Sequence, residues 1–249
     1  ESCRFASKVP SLLLIEVVLE FLICSLIVLT SSLVTLPVVG EVWVKEASCW
    51  SKIFTLFVNL IFELLVFNGV PERCIYTNSD LELPGYYRPN KKWDLLVVDG
   101  DELIIAIEFK SQVGPSFGNN FNNRTEEAMG SALDLWTAYR EGIFGEHSAP
   151  WLGYFMVLED CIRSAEPVRV RSPHFDVLEE FVNASYKERY EIFCNKLLLE
   201  RQYSAACFIT TSCSEQDITF EFPQENLSFY TFVTSMLGAA MAHFLNWRC

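Results

Sequence analysis

Two acidic residues and a lysine lie on two neighbouring apolar segments, with a spacing that suits metal-assisted hydrolysis. Asp94 falls in the segment 93–98, WDLLVV, and both Glu108 and Lys110 fall in the segment 102–110, ELIIAIEFK. Both segments have the composition of β-strands. Side chains alternate along a strand, so Glu108 and Lys110 share one face. Because burying charge is costly, an acid and a lysine together on a mostly apolar strand indicate a function.

The register between the two strands decides whether Asp94 joins this pair. Residues 99–101, Asp-Gly-Asp, are typical of a tight turn. A three-residue turn pairs Asp94 with Ala106 and places it on the face of Glu108, one diagonal step away. A turn longer or shorter by one residue would move Asp94 to the opposite face. The prediction of an active site therefore depends on this register.

A cluster of Asp94, Glu108 and Lys110 could support phosphodiester hydrolysis. Two carboxylates a few ångström apart repel each other and tend to share a hard divalent cation. A neighbouring lysine can bond an attacking water or a phosphate oxygen. The spacing alone is weak, since a solvated face of salt bridges has the same residue types.

The elements that must position these residues belong to an α/β domain that we expect to span residues 51–249. The pattern predicts further strands at 151–158 and 204–211, helices at 53–67, 125–140, 185–201 and from 228 onward, and a polar loop at 111–124. Thr125 is the expected N-cap of the second helix. No internal repeat is visible.

Composition narrows the class of protein. The 249 residues are 51% hydrophobic and 20% charged, which excludes disorder and coiled coil. A net charge of −13 argues against non-specific, charge-driven binding to nucleic acid. The 9 cysteines are scattered without a CxxC pair, as expected of reduced thiols in the cytoplasm.

Residues 86–145 closely resemble the XhoI-type family of type II restriction endonucleases. The resemblance continues through residues 150–161, 172–175, 183–194 and 206–210, and it covers roughly residues 68–242. It rests above all on the unusual run EFKSQVGPSFGNNFNNR. The family resembles the PD-(D/E)XK nucleases, which implies a mixed sheet flanked by helices.

Carried over residue by residue, the resemblance makes Asp94 and Glu108 the metal ligands and Lys110 the catalytic lysine. Pro89 lies five residues before Asp94 rather than next to it, so the Pro-Asp pair of the motif is absent here. The resemblance further implies Mg²⁺-dependent cleavage of double-stranded DNA at the palindrome CTCGAG, leaving 5′-phosphates. A homodimer matches the symmetry of a palindrome.

The polar segment after the catalytic strand supplies candidate DNA contacts. Asparagine can pair with adenine, and arginine with guanine or phosphate. The alternative is a turn-rich loop whose asparagines bond their own backbone. The candidates are Gln112, Asn119, Asn120, Asn122, Asn123 and Arg124.

Residues 1–50 form an apolar segment that does not resemble the family. Residues 21–40 carry no charge and are long enough to cross a bilayer. Three interpretations stay open: a membrane anchor, an artefact of the gene model, or a buried hydrophobic helix. Two functions stay open: a site-specific endonuclease, or a non-enzymatic protein, either an inactive remnant or a membrane-associated protein, that keeps a nuclease-like fold.

Overall fold

A computed structural model describes residues 42–213 and 218–246 as one mixed sheet between two layers of helices. The predicted apolar span at 21–40 lies outside the described residues. The longer helices are α1 (Val42–Phe67), α2 (Phe117–Arg140), α4 (Tyr186–Leu199) and α5 (Phe229–Asn246), and a short α3 covers Ile162–Ala165. Single 3₁₀ turns occur at Glu72–Cys74, Glu179–Phe181 and Glu225–Leu227.

The main sheet has six strands in the order β1-β4-β5-β6-β7-β8. They are β1 (Ile75–Tyr76), β4 (Leu95–Asp99), β5 (Glu102–Gln112), β6 (Trp151–Glu159), β7 (Ala205–Cys213) and β8 (Ile218–Glu221). β5, β6 and β7 are parallel, and the remaining neighbours are antiparallel. A separate hairpin pairs β2 (Glu82–Pro84) with β3 (Asn90–Lys92). The expected mixed α/β sheet flanked by helices is confirmed.

Helices cover both faces of the sheet, and each face has its own apolar core. On one face, α1 and α5 pack against side chains such as Ile105, Ile107 and Phe155. On the other, α2 and α4 pack against Ala106, Tyr154 and others. The central strands are therefore buried on both sides, which explains their nearly continuous apolar runs.

Helix α1 begins earlier than the expected residue 53 and ends at Phe67, as expected. Its turn at Asn68-Gly69 uses a positive φ of 93° at Gly69, which favours glycine. The expected domain boundary between residues 50 and 51 falls inside this helix, and the division itself stays a prediction. Among the described residues, no helix has the length and apolar character of a membrane span.

Residues 111–124 are not the expected loop, since β5 continues to Gln112 and α2 begins at Phe117. Thr125 lies inside the helix, where its hydroxyl donates to the carbonyl of Phe121 at 2.9 Å, so its prediction as N-cap is wrong. Tertiary packing overrides the weak helix propensity of the asparagines. Phe121 packs against Tyr190 of α4 and anchors the early turns of α2.

The β4–β5 hairpin differs from the expected register. Val98 pairs with Leu103 next to a two-residue turn, and Val97 pairs with Ile105, so Ile104 is the extra residue of a β-bulge. The bulge turns Leu103 to the α2 face and leaves Ile104 on the α1 face, whereas strict alternation along β5 would place them the other way round. Without the bulge, the two-residue turn would have reversed the face of every residue beyond it.

We expect α1 to be an integral part of the domain core. Leu65 is fully buried, whereas Phe67 is 66% exposed on the same helix. Leu65→Ala should lower the free energy of unfolding by about 2–5 kcal/mol, because it leaves a cavity. Phe67→Ala, the matched control, should change it far less. Chemical denaturation measures both, and equal effects would show that α1 does not pack as described.

Candidate active site

The three residues singled out from the sequence meet at one end of the β4–β5 pair. β4 begins at Leu95, which pairs with Ile107, and Asp94 directly precedes this strand. Ala106 pairs with Leu96, so the expected pairing of Asp94 with Ala106 is wrong, but Asp94 lies two residues before Leu96 and therefore on the expected face. The amide of Phe109 donates to Asp94 Oδ2 at 2.8 Å, and the Asp94 amide donates to the carbonyl of Ile107 at 3.2 Å. These bonds fix the first carboxylate beside the second.

Glu108 is the buried centre of the cluster, with its side chain only 2% exposed. Its Oε1 lies 2.8 Å from Lys110 Nζ and 3.0 Å from Lys91 Nζ. Its Oε2 accepts from the hydroxyl of Tyr203 at 3.2 Å, and this hydroxyl also lies 3.0 Å from the carbonyl of Ala128 on α2. The carboxylate is thus held from three sides.

The pKa values of Glu108 and Asp94 are shifted in opposite directions. Burial alone would raise the pKa of Glu108, but the ammonium groups of Lys91 and Lys110 outweigh it and hold that pKa below its ordinary value. Burial raises the pKa of Asp94, and the bond from Phe109 together with the charge of Lys110 offsets only part of this effect. Two acids in one charged cluster with opposite pKa shifts are typical of functional sites.

Lys91 and Tyr203 are site residues that the sequence reasoning missed. Lys91 comes from the β2–β3 hairpin, residues 82–92, and its Nζ also lies 4.2 Å above the ring of Trp93. The available signal was the basic run before Asp94, in which Arg88, Lys91 and Lys92 interrupt an acidic chain. Tyr203 lies just before β7 and gave no signal in the sequence.

A buried carboxylate on α2 anchors the hairpin that carries Lys91. Asp134 Oδ1 accepts from the amides of Tyr86 and Tyr87, both at 2.8 Å, and its Oδ2 lies 2.6 Å from Arg88 Nε. A Cβ at Gly85 would come within 2.5 Å of Asp134 Oδ2, so this approach requires glycine. The loop backbone is therefore fixed to α2.

The candidate DNA contacts of the polar segment lie on the first two turns of α2. Asn119, Asn122 and Asn123 are exposed, and the spacing i, i+3, i+4 puts them on one face of the helix. Asn120 is only partly exposed. The structure therefore presents three of these residues together, as a helical surface rather than as a loop.

Arg124 and Glu127 connect this surface to the catalytic strand. Arg124 Nη1 pairs with Glu127 Oε2 at 2.6 Å, and the same oxygen lies 3.9 Å from Lys110 Nζ. Arg124 Nε is buried without a hydrogen-bond partner among the described residues.

Gln112 lies on the strand as expected, but it is 2% exposed and bonds inside the protein. Its amide nitrogen donates to the carbonyl of Phe117 at 3.0 Å, and its oxygen accepts from the hydroxyl of Tyr190. In this conformation Gln112 ties the end of β5 to α2 and α4. A contact between Gln112 and DNA stays a prediction.

The residues of the cluster fit a hard divalent cation that retains water. Asp94 and Glu108 offer carboxylate oxygens, the ligands that Mg²⁺ prefers, and Mg²⁺ commonly uses one or two carboxylates together with substrate phosphates. The described residues contain no group of three or more His, Cys, Asp or Glu side chains that could hold a metal ion.

Comparisons with known proteins decide the family. The model of the family "Restriction endonuclease XhoI" matches residues 45–221. The chain belongs to this family. The match begins well before residue 68, the expected start of the resemblance, and covers most of α1. Membership of the XhoI family places the chain among the type II restriction endonucleases, which act on double-stranded DNA.

Three curated relatives agree with the family match. The type II restriction enzyme BstVI of Geobacillus stearothermophilus is 47% identical over 188 residues, which cover 73% of this chain and 84% of the relative. XhoI of Xanthomonas vasicola is 53% identical over 146 residues, 58% of this chain and 59% of the relative. AbrI of Azospirillum brasilense is 53% identical over 120 residues, 48% of this chain and 54% of the relative. No solved structure matches significantly.

The anchoring of the hairpin by Asp134 predicts a pH-dependent stability. Burial would raise the pKa of Asp134, but the amides of Tyr87 and Tyr86 and the Arg88 guanidinium hold it below its ordinary value. Its contribution is therefore present above the unfolded-state pKa of about 4 and is lost as pH falls through the lower folded-state value. Asp134→Asn should cost about 2 kcal/mol at pH 7, because charge-assisted bonds are lost.

Chemical denaturation at several pH values measures the difference in the free energy of unfolding between the wild type and Asp134→Asn. The difference should shrink as pH falls below about 4. Glu126→Gln, an exposed acid on the same helix, is the control and should show almost no difference. A difference that does not depend on pH would contradict the role of the Asp134 charge.

Proposed function

We propose that this chain is a site-specific endonuclease that hydrolyses both strands of DNA with Mg²⁺ and leaves 5′-phosphates. The observation that carries the proposal is that Asp94 accepts a hydrogen bond from the amide of Phe109, the residue next to Glu108, while Lys110 Nζ lies 2.8 Å from Glu108 Oε1. Family membership supports the reaction class. The geometry supports the choice of the side chains that carry out the reaction.

In this proposal, Asp94 and Glu108 hold the cation, which supplies Lewis-acid charge to the scissile phosphate. The rigid strand and the bond from Phe109 keep Asp94 in place, so little reorganisation is needed. Tyr203 orients the carboxylate of Glu108 by donating a hydrogen bond to its Oε2.

Lys110 is the orienting group. Its side chain is 21% exposed, so it lies at the boundary between the buried cluster and solvent, where a water can approach a phosphate. There it donates a hydrogen bond to the attacking water or to a phosphate oxygen. The water oxygen bonds to phosphorus and gives up one proton to solvent, the bond from phosphorus to the 3′ oxygen breaks, and that oxygen takes a proton from solvent to become a hydroxyl.

The early turns of α2 are the proposed surface for DNA recognition. Asn119, Asn122 and Asn123 form an exposed polar face, and an α-helix fits the major groove. Arg124, whose side chain is 29% exposed and pairs with Glu127, is the proposed phosphate contact near Lys110. The negative net charge makes such local contacts necessary, because the protein as a whole repels DNA.

The proposed target is CTCGAG, and the proposed assembly is a homodimer. The target comes from the resemblance to the family. A two-fold dimer places one cluster at each strand of a palindrome, so both strands are cut within one complex. Cleavage of only one strand by a monomer would contradict this part of the proposal.

Removing either carboxylate should abolish cleavage and retain DNA binding. Asp94→Asn and Glu108→Gln remove the proposed metal ligands but no proposed phosphate contact. We expect the cleavage rate to fall by at least about 10³-fold, which corresponds to a loss of about 4 kcal/mol of transition-state stabilisation. Plasmid cleavage and a gel-shift assay in metal-free buffer measure the two properties.

Asp101→Asn is the matched control for charge, because Asp101 is 93% exposed at the turn of the same hairpin. It should cut at close to the wild-type rate. Cleavage by Asp94→Asn or Glu108→Gln at the wild-type rate would refute the assignment.

Specificity should depend on the exposed asparagines of α2. The wild type should convert a plasmid with one CTCGAG site to a linear product and leave a plasmid without the site intact. Asn119→Ala, Asn122→Ala or Asn123→Ala should reduce the preference for CTCGAG by about 5- to 150-fold, the usual cost of 1–3 kcal/mol per lost base contact. Asn226→Ala, an exposed asparagine outside α2, is the control. Unchanged preference in all three α2 variants would exclude this surface from base recognition.

A further inference from the structure

Two ammonium groups, those of Lys91 and Lys110, lie next to one oxygen of Glu108, and the proposed reaction uses only that of Lys110. Lys110 is the motif lysine, whereas Lys91 reaches the same Oε1 from a different element at 3.0 Å. Lys91 Nζ is also 3.3 Å from the carbonyl of Lys92 and lies over Trp93, and its side chain is only 11% exposed. Two partly buried cations on one oxygen repel each other, so their placement needs an explanation.

The charges of the cluster cancel without a metal. Asp94 and Glu108 contribute two negative charges, and Lys91 and Lys110 contribute two positive charges. Glu127, the other acid near Lys110, is already paired with Arg124. A divalent cation would give this cluster an excess of two positive charges in a poorly solvated place, which is unfavourable. Backbone phosphates of DNA, with one negative charge each, would restore neutrality.

We propose that Lys91 is an internal counterion that couples metal binding to DNA binding. In the free protein it occupies Glu108 Oε1 and keeps the affinity for metal low. When DNA binds, its phosphates compensate the positive charge, and the metal then binds tightly between Asp94 and Glu108. This positioning role of Lys91 rests on the proposed function, since it assumes the metal site at Asp94 and Glu108.

The side chain of Lys91 can move while the backbone of the 82–92 hairpin stays in place. The backbone of the 82–92 hairpin is held by Asp134 through Tyr86, Tyr87 and Arg88. The side chain of Lys91 has four flexible methylene groups and can leave Glu108 without moving that backbone. The release of Glu108 therefore requires only a side-chain rearrangement.

The test is calorimetric titration of the full chain with Ca²⁺ alone, in the absence of DNA. Lys91→Met should bind Ca²⁺ at least about tenfold more tightly than the wild type, because the repulsion of a buried ammonium is removed. Lys91→Arg keeps the charge and should bind like the wild type. Lys92→Met makes the same charge change on the same strand, but at an exposed position, and should also bind like the wild type.

A second measurement tests the coupling itself. Affinity for a duplex with CTCGAG is measured with and without Ca²⁺, after checking that the duplex stays intact. In the wild type, Ca²⁺ should raise DNA affinity at least about tenfold, and in Lys91→Met this factor should fall severalfold, because coupling between two ligands is reciprocal. Equal coupling in both proteins would overturn the proposal.

Other outcomes are equally decisive. Unchanged or weaker Ca²⁺ binding by Lys91→Met overturns the counterion role, and weaker DNA binding without metal would then assign Lys91 to a phosphate contact. If Lys91→Met unfolds, Lys91→Gln removes the charge and keeps a donor for Glu108, and the same increase in Ca²⁺ affinity is required of it. If Asp94→Asn leaves Ca²⁺ binding unchanged, the metal site of the proposed function fails, whereas loss of binding there with no effect at Lys91 rejects only this inference.

Discussion

The burial of one carboxylate is the constraint on which the site depends. Glu108 lies on a central strand with helices on both faces, where an uncompensated negative charge would be very unfavourable. The protein therefore surrounds it with two ammonium groups and a phenol hydroxyl. Each comes from a different part of the chain: Lys91 from the hairpin, Lys110 from the strand itself, and Tyr203 from the residues before β7. The requirement to satisfy one charge thus links three elements into one site.

The second constraint is the register of β4 against β5. A two-residue turn alone would place Asp94 on the α1 face, among the side chains of an apolar core. The single-residue bulge at Ile104 restores the face, so that Asp94 and Glu108 lie on the same side of the hairpin. Bulges are frequent beside active sites because they redirect side chains without ending a strand. Here the bulge and the turn have to be considered together, since either one alone gives the wrong face.

Helix α2 connects the catalytic strand to the proposed DNA surface. Its first turns present the exposed asparagines, Arg124 extends toward the cluster through Glu127, and Asp134 further along holds the loop before Lys91. An acidic protein has to bind a polyanion through such local arrangements, because its overall field is unfavourable. The geometry places these groups on one helix, so recognition and chemistry are connected through a rigid element.

The sequence by itself determined the class of fold, the strands around the site, and the common face of Glu108 and Lys110. Alternation along β5 is a local property, so it follows directly from the sequence, whereas the face of Asp94 depends on the turn and the bulge together. The sequence could not determine that residues 117–124 are helical, because packing of Phe121 against α4 outweighs the low helix propensity of asparagine. Nor could it determine the bulge, whose position depends on how both faces of the hairpin pack. The recruitment of Lys91 and Tyr203 was decided only by the tertiary structure, because a buried charge is satisfied by whichever polar groups the fold brings within a few ångström, however distant they are along the chain.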